Sequence, residues 1–490
     1  MWPKGIFVVR QDSFRWLLVI RRRYRNMEGQ DTDGLVRAVT GVSGNGTFGI
    51  DTRSIVPGVT LYAVRSFDGD AIRFCVPLLV RRNLVSEIAL DPRGSAGAVA
   101  CLIERVKQKA PGDPALGPLV ARGTRFPGRY AAAVEPYTLV NSPDALASDL
   151  WHADARNFAD ASGIHLLLCG TIPYVSPVTQ ESLASVSEIS SAYLEAVAKI
   201  AWSLPTRVLE EVWIQTLDQE LLRDCLPDLG LVAFVGDGSK PARACTQYRC
   251  FFRTAGPKPG INIPFSCPQE LSPVEYELPA SGRVVTGLGI RQREVFAVAG
   301  SNAQGKTTFL EAVLAGVDNH ARGDGRECIV TVRGIRTAEA MNCELAGADV
   351  SMFFSGLPPG IDGTVNAAYG MGSGSMTMAS LVQTAIAGSA PLLIIDEDRA
   401  APNLLVNSCL QTEEITPLAR ILATDRDRMG STGLLFAACA MDTLIAEADR
   451  IMVLDRHVAS AIDPAKFRKK VATMMRETAA GLEKPVCVIR

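Results

Sequence analysis

One segment of the chain combines the residue types that bind phosphate. "VFAVAGSNAQGKTTFLEAVLAG" contains the pattern G-x-x-x-x-G-K-T-T. Glycines let backbone amides turn toward phosphate oxygens, a lysine adds a point charge, and the next hydroxyl can bind Mg²⁺. An apolar run precedes the loop and a helical pattern follows it, so the segment predicts a nucleotide-binding loop rather than a chance glycine-rich turn. The predicted nucleotide-binding residues here are Gly300, Ser301, Asn302, Ala303, Gln304, Gly305, Lys306, Thr307 and Thr308.

A second segment, "LLIIDED", ends an apolar run in three acids. Four apolar residues predict a buried strand that delivers Asp396 to its C-terminal end, where it would hold Mg²⁺ together with Thr307. Glu397 is then the candidate to orient or deprotonate the attacking water, and Lys306 is the second predicted catalytic residue. Asp398 has no role in this scheme. The alternative is a strand end with solvated acids.

A glycine–serine run lies ahead of these acids. Ser373, Gly374 and Ser375 begin a helix-like segment, and 21 residues separate Gly374 from Asp396. This spacing resembles that of ABC-type ATPases, in which a Gly/Ser signature starts a helix at a similar distance before the strand that carries the metal-binding acid. The resemblance implies a homodimer, in which these three residues cap the γ-phosphate of a nucleotide bound to the other subunit. The alternative is a flexible hinge that opens a helix.

Further blocks resemble one family, the predicted ATPases of the ABC class, a soluble group separate from transporters. The resemblance implies an α/β P-loop ABC-type ATPase domain with an α+β N-terminal domain, ATP and Mg²⁺ as cofactors, and ATP hydrolysis. The group includes an ATPase of a kinetoplastid mitochondrial RNA-binding complex. The matching blocks are Asp228–Arg243, Gly316–Thr331, Ile335–Ala340, Val350–Pro358 and Glu413–Leu418.

The chain departs from ABC transporters at two sensing positions. No Gln occurs between Gly305 and Val382, and Met441 stands where transporters have a His that senses the γ-phosphate. Slow turnover is expected from these departures. Two alternative functions therefore stay open: a nucleotide-dependent binding scaffold with negligible turnover, and an ATPase subunit of an ABC transporter.

Two further aromatic positions have both a functional and a structural interpretation. Tyr276 lies 24 residues before Gly300, near where ABC domains place an aromatic under adenine, but a core or surface tyrosine before a strand is the favoured interpretation. His320 is interpreted as a structural histidine rather than a catalytic one. Its neighbours Asp324 and Arg326 are candidates for contact with the opposing subunit.

Local composition divides the 490 residues into four segments. Residues 1–26 form a basic lead, and 27–205 a partner-binding α+β domain. Residues 206–465 form the ABC-type ATPase domain, in which short apolar runs predict strands of a parallel sheet. Residues 466–490 form a basic helix or tail.

Charge and composition constrain the partners. The net charge is −2, no apolar run reaches the ~18 residues of a membrane span, and the cysteines include no CxxC pair, so we expect no membrane insertion and no zinc site. RNA is the leading candidate partner because three basic clusters have aromatic neighbours, although each could be a solvated face. The clusters are Arg21–Arg25, Val80–Asn83 and Phe467–Lys470.

The lead favours two interpretations. It holds seven basic residues and one acid among apolar residues, as a mitochondrial presequence does. The alternative is a first β-strand followed by a basic helix. The predicted location is accordingly mitochondrial or, failing that, cytoplasmic.

Overall fold

A computed structural model describes residues 6–9, 50–52, 61–65, 71–120, 151, 153–173, 180–242, 262–408 and 414–482. The chain divides into two units, and the second begins at Asp218, twelve residues after the boundary expected at Thr206. The basic cluster Arg21–Arg25 lies outside the described residues. Part of the lead, Ile6–Val9, forms a strand, as the alternative interpretation of the lead requires.

The first unit is an antiparallel sheet covered by helices. The sheet has the order β1-β3-β4-β6-β5, and β2 pairs with β4. Its described strands are β1 (Ile6–Val9), β2 (Ile50–Thr52), β3 (Leu61–Arg65), β4 (Ala71–Val80), β5 (Phe158–Asp160) and β6 (Gly163–Pro173). Its described helices are α1 (Leu84–Ile88), α2 (Ser95–Lys109), α3 (Gly117–Val120), α4 (Gln180–Ser203) and the first part of α5 (Thr206–Cys225).

Apolar periodicity explains this arrangement. One face of α2 buries Val99, Leu102 and Val106, and it packs in a core that includes Leu166 and Leu168 of β6. The α+β architecture expected for the N-terminal half is therefore confirmed. The segment "YAAAVEPYTLV" (residues 130–140), whose composition predicts a strand, lies outside the described residues.

The second unit contains three sheets. A sheet of order β12-β16-β17-β10-β18-β19 is parallel except for its last pair. A second sheet, β11-β7-β9-β8, and a third, β13-β15-β14, are antiparallel. The described strands are β7 (Leu231–Gly236), β8 (Val274–Glu277), β9 (Val284–Arg291), β10 (Val295–Ala299), β11 (Ile329–Thr331), β12 (Arg336–Thr337), β13 (Cys343–Ala348), β14 (Asp362–Thr364), β15 (Ala367–Gly372), β16 (Leu392–Asp396), β17 (Gly433–Ala438), β18 (Arg450–Asp455) and β19 (Val458–Ile462). The described helices are α6 (Lys306–Ala315), α7 (Gly374–Ala387), α8 (Pro402–Leu405), α9 (Leu418–Thr424), α10 (Asp442–Ile445) and α11 (Pro464–Leu482).

Two expectations for this unit were wrong in detail. The apolar runs that form β7 and β11 were expected in the parallel sheet but belong to the antiparallel one. Their residues share one core with Phe309 of α6 and Leu222 of α5, so both faces of these strands are covered. Continuous burial explains an all-apolar run whatever the strand direction. The segment "LDQELLRDCLPDLG", in which Pro and Gly predict the end of a short helix, instead supplies the last part of the 20-residue α5.

A buried ion pair joins the start of β18 to the turn before β10. The Arg450 guanidinium donates to the Glu294 carboxylate, with Nη2–Oε2 at 2.8 Å, and to the backbone oxygens of Leu271 and Gly289. Arg450 is 8% exposed and Glu294 is 5% exposed. Truncating one member would leave the other charge buried without its partner.

We expect Arg450→Met to lower the free energy of unfolding by about 3–5 kcal/mol, measured by urea denaturation. The matched control is Arg426→Met, since Arg426 pairs with Asp449 in an exposed position and such pairs contribute about 0–1 kcal/mol. Equal losses from the two substitutions would contradict the interpretation.

Candidate functional site

The predicted phosphate loop joins β10 to α6, as expected. Its backbone curls through left-handed conformations, with φ of +139° at Gly300, +60° at Ala303 and +101° at Gly305. The Lys306 ammonium donates to the backbone oxygens of Gly300 at 2.8 Å and Ser301 at 2.9 Å. The lysine is therefore folded over its own loop and largely buried, next to the N-terminus of α6, where backbone amides favour anions.

The predicted acids lie at the same edge of the parallel sheet. β16 ends in Asp396, and β16 and β10 flank β17 on its two sides. Since the carboxyl ends of parallel strands share an edge, the acids and the phosphate loop adjoin. Asp396 and Glu311 of α6 line one small cavity of about 30 Å³. The Glu397 carboxylate accepts a hydrogen bond from the backbone N–H of Cys439, directly after β17.

Arg399 directly follows the three acids and has a structural role. Its guanidinium donates a hydrogen bond to Glu339 at 2.9 Å and forms an ion pair with Glu311 at 3.1 Å. The bond to Glu339, followed by the charges of both carboxylates, raises the pKa of Arg399. The side chain thus ties the segment after the acids to the flank of α6.

The Gly/Ser run opens a helix, and its residues have different surroundings. Ser373 is the exposed N-cap of α7 and makes no capping hydrogen bond. The Ser375 hydroxyl instead donates to the Asn403 side chain at 2.7 Å. Among the three predicted residues, Ser373 thus offers a hydroxyl beside helix amides that lack intrahelical partners. The trans role of Ser373, Gly374 and Ser375 stays a prediction.

The position of the transporter histidine is apolar. Met441 is 6% exposed and belongs to the core that contains α7 and α10. Its side chain is therefore packed in that core, and a thioether supplies no hydrogen-bond donor. No cluster of three His, Cys, Asp or Glu side chains that could bind a metal occurs among the described residues, so Mg²⁺ would depend on Thr307, Asp396 and the nucleotide itself.

The core interpretation fits Tyr276. This residue lies on β8, and burial together with a hydrogen bond to the Cys225 thiol raises its pKa to about 12. Its hydroxyl is therefore directed at the end of α5.

His320 is held in the interior. Its backbone N–H donates to Gln219 at 2.8 Å, and its carbonyl accepts from the same amide at 3.0 Å. The ring lies 3.8 Å from Asp324, but that carboxylate is bonded to Arg326. Burial first, and then the nearby Arg326 charge, lower the pKa of His320 to about 4. Arg326 is 2% exposed, which leaves its guanidinium inside this chain rather than at a subunit contact.

The sequence did not reveal one contact to the phosphate loop. The backbone N–H of Arg456, in the turn between β18 and β19, donates to the Gln304 side chain. Arg456 and His457 lie about 150 positions after the loop and match no sequence motif. The sequence therefore contains no indication of this contact.

Stability should depend on pH through His320. Its pKa lies below the unfolded value of about 6.5, so the unfolded chain binds the extra proton between about pH 4 and 6.5. The free energy of unfolding that the lowered pKa of His320 contributes is fully present above pH 6.5 and is lost as the pH falls toward 4. We expect His320→Gln to reduce the slope of unfolding free energy in this window by up to about 1.4 kcal/mol per pH unit. Urea titrations at pH 4.5, 5.5 and 7 measure it. An unchanged slope would show that His320 titrates normally.

Comparisons with known proteins agree with this geometry. The family model ABC_ATPase, a P-loop domain, matches residues 205–486. An uncharacterised protein of Methanocaldococcus jannaschii is 37% identical over 421 residues, which cover 86% of this chain and 91% of that protein.

Solved structures of ABC proteins are also similar in part. An inward-facing putative metal-chelate type ABC transporter matches with 13% identity and a TM-score of 0.28, covering 48% of this chain and 84% of that one. The protein cbiO1 from Clostridium perfringens, part of the ABC transporter complex cbiONQ, matches with 14% identity and a TM-score of 0.29, covering 52% and 96%. Among the described residues, no helix has both the length and the apolarity to cross a membrane. Because the family model spans more than half of the sequence and contains the phosphate loop and the acids, the chain belongs to the ABC ATPase family and carries its P-loop domain.

Proposed function

We propose that the chain is a Mg²⁺-dependent ATPase that works as a nucleotide-switched homodimer. One observation carries the proposal. The phosphate loop with Lys306 follows β10, and β16 ends in Asp396 with Glu397 directly after it, at one edge of a parallel sheet. A lysine, a hydroxyl and two acids in this arrangement can hold a triphosphate and an attacking water.

Each residue has a defined task in this scheme. The loop amides and Lys306 would hold the β- and γ-phosphates, and Thr307 and Asp396 would hold Mg²⁺. The ion neutralises charge on the phosphate oxygens when it is bound. Glu397 orients or deprotonates the water, and the Cys439 N–H fixes one of its oxygens. The second oxygen is left to accept a proton from water.

Glu397→Gln should lower steady-state phosphate release by about 10²-fold or more, because the amide cannot accept the proton. Binding of ATP should be unchanged. The matched control is Asp398→Asn, whose side chain is exposed and has no assigned role; its rate should equal that of the wild type. If the wild type releases no more phosphate than Glu397→Gln, the enzyme hypothesis fails and the nucleotide-dependent scaffold is favoured.

A second copy of the chain would complete each centre. Met441 gives no donor to the γ-phosphate, and the expected Gln is absent from the sequence, so a single chain offers few groups to the outer end of ATP. The exposed Ser373 hydroxyl and the first backbone amides of α7 are donors of the required kind. The proposed dimer places them against the nucleotide of the partner copy.

Mixing two inactive variants tests the dimer. Lys306→Ala removes the phosphate contact, and Ser373→Arg blocks the signature without touching the interior. Gly374 is avoided because an added Cβ would lie 3.2 Å from Ala340. A 1:1 mixture, reassembled at random, should recover about a quarter of wild-type activity, since half the dimers have one intact centre of two. No recovery would contradict sharing of residues between copies.

RNA binding and a mitochondrial location stay predictions. Two of the basic clusters lie in the described residues. The surroundings of Arg82 argue against contact of RNA with the first of them, Val80–Asn83. Arg82 is 4% exposed and donates to the backbone oxygens of Ala201 and Leu204. In the other cluster, Lys469 and Lys470 are exposed on α11, which supports this surface as the better candidate for phosphate contacts.

A further inference from the structure

The turn between β18 and β19 is strained. Its two residues, Arg456 and His457, have φ of +48° and +68°. Two-residue turns of this kind favour Asn and Gly, because other side chains crowd the backbone at positive φ. Strained residues that a fold maintains are concentrated at functional sites, and both side chains here are exposed.

The strained turn is packed on the phosphate loop. β18 and β10 are direct parallel neighbours, so the turn and the loop leave the sheet at the same edge. A Cβ at Gly305 would lie 2.8 Å from the His457 ring nitrogen Nδ1. The His457 ring is therefore in contact with the residue that caps the N-terminus of α6.

Further contacts extend along the loop. A Cβ at Gly300 would lie 2.4 Å from the backbone oxygen of Leu454. The Arg456 N–H donates to the Gln304 carboxamide, whose own NH₂ donates to the Asn302 carbonyl at 3.3 Å. The end of β18 and the turn therefore contact Gly300 and Gly305, and the hydrogen bond from Arg456 to Gln304 fixes the middle of the loop.

We propose that Arg456 and His457 position the nucleotide. The turn fixes Gln304 and through it the loop, and the two side chains donate hydrogen bonds to phosphate oxygens. They supply donors at an edge where Met441 supplies none. The proposal rests on the proposed binding of ATP and adds to it the residues that discriminate by phosphate charge.

Glycine substitutions test the proposal without straining the fold. Arg456→Gly and His457→Gly keep the turn, because glycine adopts positive φ freely. The matched control is Arg293→Gly. Arg293 is also basic, exposed and at positive φ (+60°), but it lies in the turn that precedes β10, at the opposite edge of the sheet. Affinities for Mg-ATP and Mg-ADP, KM, kcat and the melting temperature are measured on the full chain.

The expected result separates the two edges. Arg456→Gly and His457→Gly should weaken ATP binding about fivefold to tenfold, as for the loss of a charged hydrogen bond, and weaken ADP binding less. KM should rise more than kcat falls. Arg456→Lys should keep most of the affinity for ATP. Arg293→Gly should bind ATP as the wild type does, and no variant should melt at a lower temperature.

Three results would overturn the inference. If both turn variants bind ATP as tightly as the wild type, while Lys306→Ala does not bind it, the turn has no positioning role and the proposed function stands. If Arg293→Gly weakens binding equally, the effect belongs to charge or turn strain in general. If the wild type itself does not bind Mg-ATP, the proposed function and this inference fall together.

Discussion

The parallel pairing of β16, β17, β10 and β18 is the constraint on which the rest depends. Asp396 pairs with Ala437, and Ala299 pairs with both Ala438 and Val453. In this register β16, β17 and β10 end within one residue of each other and β18 continues for two more residues, so whatever follows them is placed at one edge. The acids follow β16, the Cys439 amide follows β17, the phosphate loop follows β10, and the strained turn follows β18. Register, rather than any side-chain contact, brings these groups together.

Burial of both faces fixes that register. Alternate residues of β10 belong to different cores: Val295 and Ala297 pack on the side of α7, and Phe296 and Val298 on the side of α6. The far end of α6 is held by the buried guanidinium of Arg223, which donates to the carbonyls of Gly316 and Thr331. A cation at a helix C-terminus complements its dipole. Helix α6 therefore contacts α5 at its C-terminal end and the phosphate loop at its N-terminal end.

The sequence predicted those parts of the site whose chemistry requires a local pattern. The glycines and Lys306 form one contiguous segment, the apolar strand and Asp396 form another, and the structure places both as expected. Strand direction was not predictable for β7 and β11, because two-sided burial leaves the same apolar run in either kind of sheet. No sequence pattern indicated a role for Arg399, because its ion pairs depend on the positions of Glu311 and Glu339 in the fold. The contact of Arg456 with Gln304 depends on register across 152 residues, which no local pattern records.

The orientation of Glu397 does not depend on a polar side chain at position 441. A backbone N–H holds the Glu397 carboxylate, and any residue except proline at position 439 supplies that donor. The donor's position follows from the pairing of Asp396 with Ala437, since Glu397 is the next residue after Asp396 and Cys439 lies two residues after Ala437. Orientation of the base is therefore a property of the sheet, whereas contact with the γ-phosphate depends on side chains. Replacement of a γ-phosphate-sensing side chain at this edge therefore leaves the position of the Glu397 carboxylate unchanged.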